Sequence, residues 1–444
     1  MAARRAWALA VAALLCLVVL ARGAWALEMQ RKVLPGGLTV LHAERHNLPI
    51  VKVTLLVRAG SFQEPAELAG LANLTATLLT SGTAKRTAED ISREVDFLGA
   101  DLGSSAGPDF TAVRLSVLKK DAEKGFEILS DVVLNPAFPE DEITRNRELI
   151  KGSLRKSLEE PSFVARTEFE KAVYGGHPYG RIVRGYPETL DRIRREDIQG
   201  FYSTYFRPGN AVISVAGDLT PAELDRLLDR FFSGWRPAPV PAREPAALEP
   251  HGRRVITTDR DVEQANIILG GLGVRRDDPD FYALLVMNYI LGGGGFSSRL
   301  MESIRDEMGL AYDVHSFLTS TKDTGVFLVG VQTKNESAGA VIDEIVRQME
   351  RMRTEKVSEK ELEDAQAYLV GSFPRKIDTL GQIADFMAAV EFLDLGLDYP
   401  DRYREYINSV TREDVLRVAR EHLPVSDYVL SVVARLKDAG LKAP

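Results

Sequence analysis

The chain has 444 residues, 45% of them hydrophobic and 27% charged, with a net charge of −8. That length exceeds one ordinary hydrophobic core, so two or more domains of a soluble globular protein are expected. The acidic balance and the absence of any lysine/arginine block argue against a nucleic-acid partner.

Residues 1–26 differ from the rest. Arg4 and Arg5 precede an apolar run from Ala6 to Ala21, and Arg22 and the triplet Ala24-Trp25-Ala26 follow. A basic start, an apolar centre and an A-x-A site are the parts of a secretory signal peptide, here cleaved after Ala26. If uncleaved, the segment is a membrane anchor; a transit peptide fits less well, because the run is continuously apolar. The one cysteine, Cys16, lies inside it, and Leu15 does not suit a lipoprotein cleavage site. The mature chain then has neither disulfide nor thiol nucleophile. No later stretch offers about 18 uninterrupted apolar residues. The expectation is an exported protein, periplasmic or secreted, held at a membrane only if residues 1–26 are retained.

Two strands are expected over residues 31–60, Leu38–Leu41 and Ile50–Val57, with a polar bend between them that ends at Pro49. His42 and His46 fall in that bend and read as surface loop histidines, since a strand–loop context does not hold an i, i+4 pair on one face. Gly70–Thr83 reads as a helix with Leu71, Leu74, Leu78 and Leu79 on its apolar face. Asn73 and Thr77 project from one side of it, with Ala76 beside them. That is the frame of an H-x-x-E-H zinc helix with no ligand in it. Asn73-Leu74-Thr75 is formally a glycosylation sequon, but within a predicted helix. Further helices are expected at Thr87–Leu98 (capped by Thr87, with Asp90 three on), Lys120–Leu134, Glu140–Lys156, Ser162–Val173, Arg195–Tyr205 and Pro221–Phe232. Phe110–Leu118 and Asn210–Ala216 read as strands, and His177–Gly180 and Gly217-Asp218 as turns.

Five prolines between Arg236 and Pro250 mark an extended linker. The halves on either side resemble each other. Arg195–Ile198 through Ser214–Ala216 parallels Arg412–Val415 through Ser431–Val433, and Ile150–Ser153 parallels Leu369–Ser372. Strands and helices interleave without strict alternation, which favours α+β: two homologous lobes, each a mostly antiparallel sheet covered by helices. The expected division is a first lobe at 27–235, the linker at 236–250 and a second lobe at 251–440. Asp343–Glu363, rich in Glu and Arg, reads as a solvated helical face, and the aromatics of Tyr399–Tyr406 show no base-stacking pattern. Gly292–Gly295 lacks the G-K-[ST] ending of a phosphate loop and reads as a hinge or close-approach loop.

Taken together, the chain resembles the insulinase/pitrilysin family, the zinc peptidases with the inverted H-x-x-E-H motif. The resemblance rests on Gly60-Ser61, Gly70-Leu71-Ala72, Ser81-Gly82-Thr83, His177-Pro178-Tyr179-Gly180, Gly185, Arg207–Asn210 and Gly217-Asp218. In the second lobe it rests on Gly292–Leu300 and Ile304–Tyr312. It covers nearly all of the mature chain and implies a short two-lobed member that pairs as a dimer. It also implies histidines where Asn73 and Thr77 stand, the general-base glutamate where Ala76 stands, and a glutamate ligand about eight residues before Pro161, where Ser153 stands. Zinc catalysis needs three protein ligands and a water; the corresponding second-lobe segment, Phe281–Leu291, holds no His or Glu. The chain is not expected to hydrolyse peptides by itself or to hold a metal.

The resemblance assigns a role to Arg305 and Tyr312, seven residues apart. In the family such a pair reaches from the second lobe toward a catalytic lobe, positions the substrate carbonyl and stabilises its developing charge. The plainer alternative is a solvated helix arginine and a packed strand tyrosine. The first lobe has Ser92 or Arg93 and Ala100 at the equivalent places. Gly292, Gly293, Gly294 and Gly295 would lie near the substrate chamber. The leading expectation is therefore a non-catalytic subunit, with zinc in a homologous catalytic partner and peptides as substrate. The alternatives are a scaffold or peptide-binding module of the same fold, and an active metallopeptidase with unusual ligands.

Overall fold

The computed structural model describes residues 27–441 apart from 245, 247 and 249–251. Residues 1–26, expected above to be a signal peptide, and part of the linker lie outside the described residues.

Two sheets organise the chain, and α+β is the class. The first is built from β1 (Gln30–Val33), β2 (Thr39–Glu44), β3 (Ile50–Val57), β4 (Asp101–Ala106), β5 (Thr111–Leu118) and β6 (Ala211–Gly217), in the spatial order β1-β2-β6-β3-β5-β4. The second contains β7 (Arg254–Asp259), β8 (Gln264–Leu272), β9 (Val314–Leu318), β10 (Val326–Lys334) and β11 (Val429–Ala434), in the order β7-β11-β8-β10-β9. Each sheet has one parallel pair, β2 with β6 and β7 with β11, and is otherwise antiparallel. Removing β1 makes the two orders superimposable, which is the structural form of the sequence repeat.

The helix boundaries follow local chemistry. Thr87 caps the helix Ala88–Phe97 and exchanges hydrogen bonds with Asp90, while Arg195–Tyr205 and Pro221–Phe232 occupy the residues their periodicity predicts. Two readings change. His42 is not in a loop: β2 runs on to Glu44, and His42 is buried in it with both ring nitrogens unpartnered. Only His46 lies in the bend, held by Asp218 at 2.5 Å and Glu44 at 2.8 Å. Asp343–Glu363 is not one solvated face; it spans parts of two helices, Ala338–Thr354 and Glu359–Ser372, and the first buries Val341, Ile345, Met349 and Met352.

A helix exchange locks the halves together. One face of the first sheet (Val51, Val53, Leu55, Val113, Leu115, Ile213) meets its own helices. The other face, with Leu41, Ala43, Val212 and Ala216, is covered by Ile383, Ala384 and Met387 of the helix Leu380–Phe392, from the far half of the chain. Reciprocally, the helix Pro161–Tyr174 lays Val164, Ala165, Phe169 and Val173 on Val326, Leu328, Val429 and Val433 of the second sheet. Both faces of the central strands are thus dry, so β6 and β11 are buried at every residue and read as apolar runs interrupted only by Ser214 and Ser431. Polar bonds fix the register of the first exchange: Ser214 donates to the Ala384 carbonyl, and Asp385 accepts from Thr54 and Arg114, each at 2.8 Å.

The linker is pinned by one side chain. The Arg243 guanidinium sits 3.6 Å over the Phe62 ring, pairs with Asp109 at 2.8 Å and Asp323 at 3.0 Å, and donates to the Tyr179 hydroxyl at 2.7 Å. Phe62, Asp109 and Tyr179 belong to the first half and Asp323 to the second, so a linker cation joins both.

Candidate functional site

The helix Leu71–Leu78 begins at Gly70, whose φ of +100° and close approach to Gly185 leave no room for a side chain. Gly70 cannot cap the helix with a side chain. Glu64 does so from the preceding loop, its two carboxylate oxygens accepting from the backbone N–H of Gly70 and of Ala72 at 2.9 Å each. Burial pushes the Glu64 carboxyl up to about 7, against the pull of those N–H donors and of Arg181. Sequence reading passed over this glutamate, because a cap six residues upstream has no fixed-spacing signature.

Asn73, Ala76 and Thr77 lie on this helix as the spacing requires, Ala76 fully buried and the other two half-buried. Ser153 lies on the helix Glu140–Glu159, which packs against it. The frame that would bring three ligands together is therefore present. The donors in it do not suit zinc. Thr77 spends its hydroxyl on the Asn73 carbonyl at 2.9 Å, and Ser153 receives a hydrogen bond from the Arg184 guanidinium at 2.8 Å. A dication there would face neutral oxygens and a fixed positive charge in place of imidazoles and a carboxylate. Asn73, inside a helix with Thr75 fully buried, is also poorly placed as a glycosylation acceptor.

Beside the helix runs β4, which the sequence reading missed. Ser104 of β4 donates to the Ala76 carbonyl at 2.6 Å. β4 pairs only with β5 and ends the sheet, so its outer edge has no strand partner among the described residues. Asp-Leu-Gly-Ser-Ser-Ala carries little of the β-branched and aromatic content that marks a strand, and only the β5 ladder holds it extended.

In the second half the structure brings Arg305 and Tyr312 together. Arg305 lies on the helical turns Met301–Glu307, which end on a wide i, i+5 bond from Met308 to Ser303, and Tyr312 lies just before β9. The guanidinium centre is 5.7 Å from the Tyr312 ring and 4.8 Å from the Phe296 ring, and it donates to the adjacent Asp306 at 2.8 Å. Tyr312 is 83% exposed and Phe296 70% exposed. Tyr312 is thus no packed strand residue; it stands at the mouth of a cleft of about 420 Å³ lined by Asn266, His315 and Gln332. Of the glycine run, a side chain on Gly292, Gly293 or Gly294 would strike Ser316, Asn288 or Tyr289, whereas Gly295, at φ +60°, borders open space and leads into Phe296. The run permits close backbone approach within the protein and presents an aromatic to Arg305.

Among the described residues one cluster, Asp280, Glu421 and His422, has metal-like spacing. Arg417 pairs with Asp280 at 2.7 Å and with Glu421 at 3.0 Å, so both carboxylates already have a cation of the protein as partner.

Two family models match. Residues 39–186 match the insulinase family model (peptidase family M16), and residues 192–369 match the peptidase M16 inactive domain. An uncharacterized zinc protease of Rickettsia felis is 27% identical over 396 residues, 87% of this chain and 93% of that protein. Another, of Mycobacterium leprae, is 32% identical over 307 residues, 67% of this chain and 68% of that protein. The crystal structure of a peptidase M16 inactive domain from Pseudomonas fluorescens, 28% identical, superimposes with a TM-score of 0.85 over 92% of this chain and 98% of that one.

Proposed function

From the premise that the chain belongs to the insulinase family of peptidases (M16), we propose that it is the non-catalytic subunit of a heterodimeric zinc peptidase. The observation that carries this reading is the contrast between its halves. The first keeps the motif helix and its cap while Asn73, Ala76, Thr77 and Ser153 offer no metal donor set and no base. The second presents Arg305 beside an exposed Tyr312 that borders a cleft.

Zinc, held by a homologous catalytic partner, would supply the polarised carbonyl and activated water. This chain supplies chamber wall and charge. The Arg305 guanidinium, oriented by Phe296, Asp306 and Tyr312, meets the negative charge that builds on the scissile carbonyl oxygen. The Tyr312 hydroxyl donates a further hydrogen bond to the same region. An extended peptide can add to an exposed sheet edge such as β4 or β9 by main-chain hydrogen bonds. Export places the complex outside the cytoplasm.

Co-expression with an H-x-x-E-H relative is the test. The pair should co-purify and cleave unfolded peptides, and Arg305→Ala should lower kcat by about 10²-fold, the loss seen when one such donor is removed, with Tyr312→Phe lowering it less and neither dissociating the pair. Unchanged turnover in both variants refutes the role. Zinc near one per chain in the protein purified alone would refute its non-catalytic part. The unpaired β4 edge supports one further reading, a peptide-binding module that works without a partner. It predicts peptide binding with no turnover in any pairing.

A further inference from the structure

A cleft of about 700 Å³ opens between the helix Pro161–Tyr174, the segment Tyr179–Pro187 and the Thr319–Val326 end of the second sheet. The subunit role above makes no use of it. We infer that this cleft binds a peptide carboxylate, with Arg184 as its anchor and Arg181 as a second positive charge.

The argument starts from where the Arg184 guanidinium is tied. It donates to the hydroxyls of Ser153 at 2.8 Å and Ser157 at 3.0 Å, and its centre lies 5.5 Å from the Phe163 ring. These partners hold the group in place and leave its charge unneutralised. Two of five donors have a protein acceptor, and the remaining fork has the geometry that grips a carboxylate bidentately. Arg181 gives its hydrogen bond to the backbone carbonyl of Glu64, whose carboxylate is committed to Gly70 and Ala72. The other charges along the cleft sum to zero: Arg166 pairs with Glu170 at 2.8 Å, and Lys171 and Glu168 add one charge of each sign. The uncompensated charge is the Arg184 guanidinium, with Arg181 facing the buried Glu64 carboxyl beside it, and the walls include Phe163, Tyr174 and Val183.

The position of Ser153 gives this arrangement its meaning. A carboxylate at 153 would take the Arg184 guanidinium for itself. The small neutral residue that forfeits a metal ligand leaves a positioned cation available to a ligand. The contact between Gly70 and Gly185 fixes the distance, because it presses the 184–185 backbone against the start of the motif helix. The site lies wholly in this chain and does not depend on a catalytic partner. Its ligand is the α-carboxylate at a peptide C-terminus or the side chain of an acidic residue.

Fluorescence anisotropy on the purified full chain separates these. The probes are a labelled flexible peptide with a free C-terminus, its C-terminal amide, and the amide with one internal Glu or Gln. The carboxylate-bearing peptide should bind about tenfold tighter than its neutral counterpart, the equivalent of one charge-assisted contact. Preference for the free C-terminus assigns the α-carboxylate, and preference for Glu over Gln assigns the side chain. Arg184→Gln should abolish the preference and Arg184→Lys should keep part of it. Equal binding of all probes by the wild type, no binding of any, or a preference that survives Arg184→Gln overturns the inference.

Discussion

Replacing Arg243 by methionine tests how the two halves are held together. The side chain is 19% exposed, and its partner Asp109 is 8% exposed, so the variant leaves a carboxylate in a largely dry site. Breaking a buried pair from one side costs about 3–5 kcal/mol, mostly as the uncompensated charge. Two features set the lower end here. Asp109 keeps the Tyr179 hydroxyl at 2.5 Å, and Asp323 is 21% exposed and can hydrate. The loss of the cation over Phe62 at 3.6 Å adds a smaller part. A cost of about 3 kcal/mol in a chain of this length lowers Tm by about 3 °C, to be read by calorimetry. Adding Asp109→Asn supplies the diagnostic. The asparagine still accepts from Tyr179 but carries no charge, so Arg243→Met/Asp109→Asn should be more stable than Arg243→Met alone. If the double variant instead loses the sum of the two single losses, the buried charge is not what Arg243 stabilises.

Phe169→Ala removes a fully buried ring that sits on the second sheet although it belongs to the first half. It should cost about 3–5 kcal/mol, with faster amide exchange in β10 and β11 than in β6; the reverse pattern would contradict the helix exchange. Glu361 accepts from Arg299 at 2.7 Å and from the Ser358 backbone at 2.7 Å. These bonds, winning over burial, hold its carboxyl down at about 2 against an ordinary 4.5. A depressed carboxyl adds stability that is complete above pH 4.5 and is lost as pH falls toward 2. Urea unfolding of Glu361→Gln should therefore differ from wild type at pH 7 and converge with it near pH 2. A constant difference across that range would dissociate the effect from ionisation.

Legibility followed the range of the interactions. Helices whose ends are written in neighbouring residues, such as Thr87 with Asp90, were legible, as was β3 with its apolar run. β1 and β4 were not, because Gln-Arg-Lys-Val and Asp-Leu-Gly-Ser-Ser-Ala are edge strands that take their conformation from a neighbour. His42 was misplaced for a related reason: His-Ala-Glu looks polar, but β1 and β6 pair with it on both sides and hold it extended, and its ring is buried. At the site, Asn73, Ala76 and Thr77 could be listed from helical spacing, and Ser153 from the family resemblance. Glu64, Phe296 and Arg184 could not, since each acts on a group its own neighbourhood does not name.

The sequence by itself determined the duplicated α+β plan and the motif helix with Asn73 and Thr77 on one side, and its family resemblance singled out Arg305 and Tyr312. The first two depend on periodicity, capping and spacing, which are local. Tertiary structure alone decided that each half lends a helix to the other half's sheet, and that Arg243 ties the linker to both. It alone decided that a guanidinium stands against Ser153. Helix docking and charge placement arise between segments tens to hundreds of residues apart, where close packing and the cost of an unpaired buried charge select the partners.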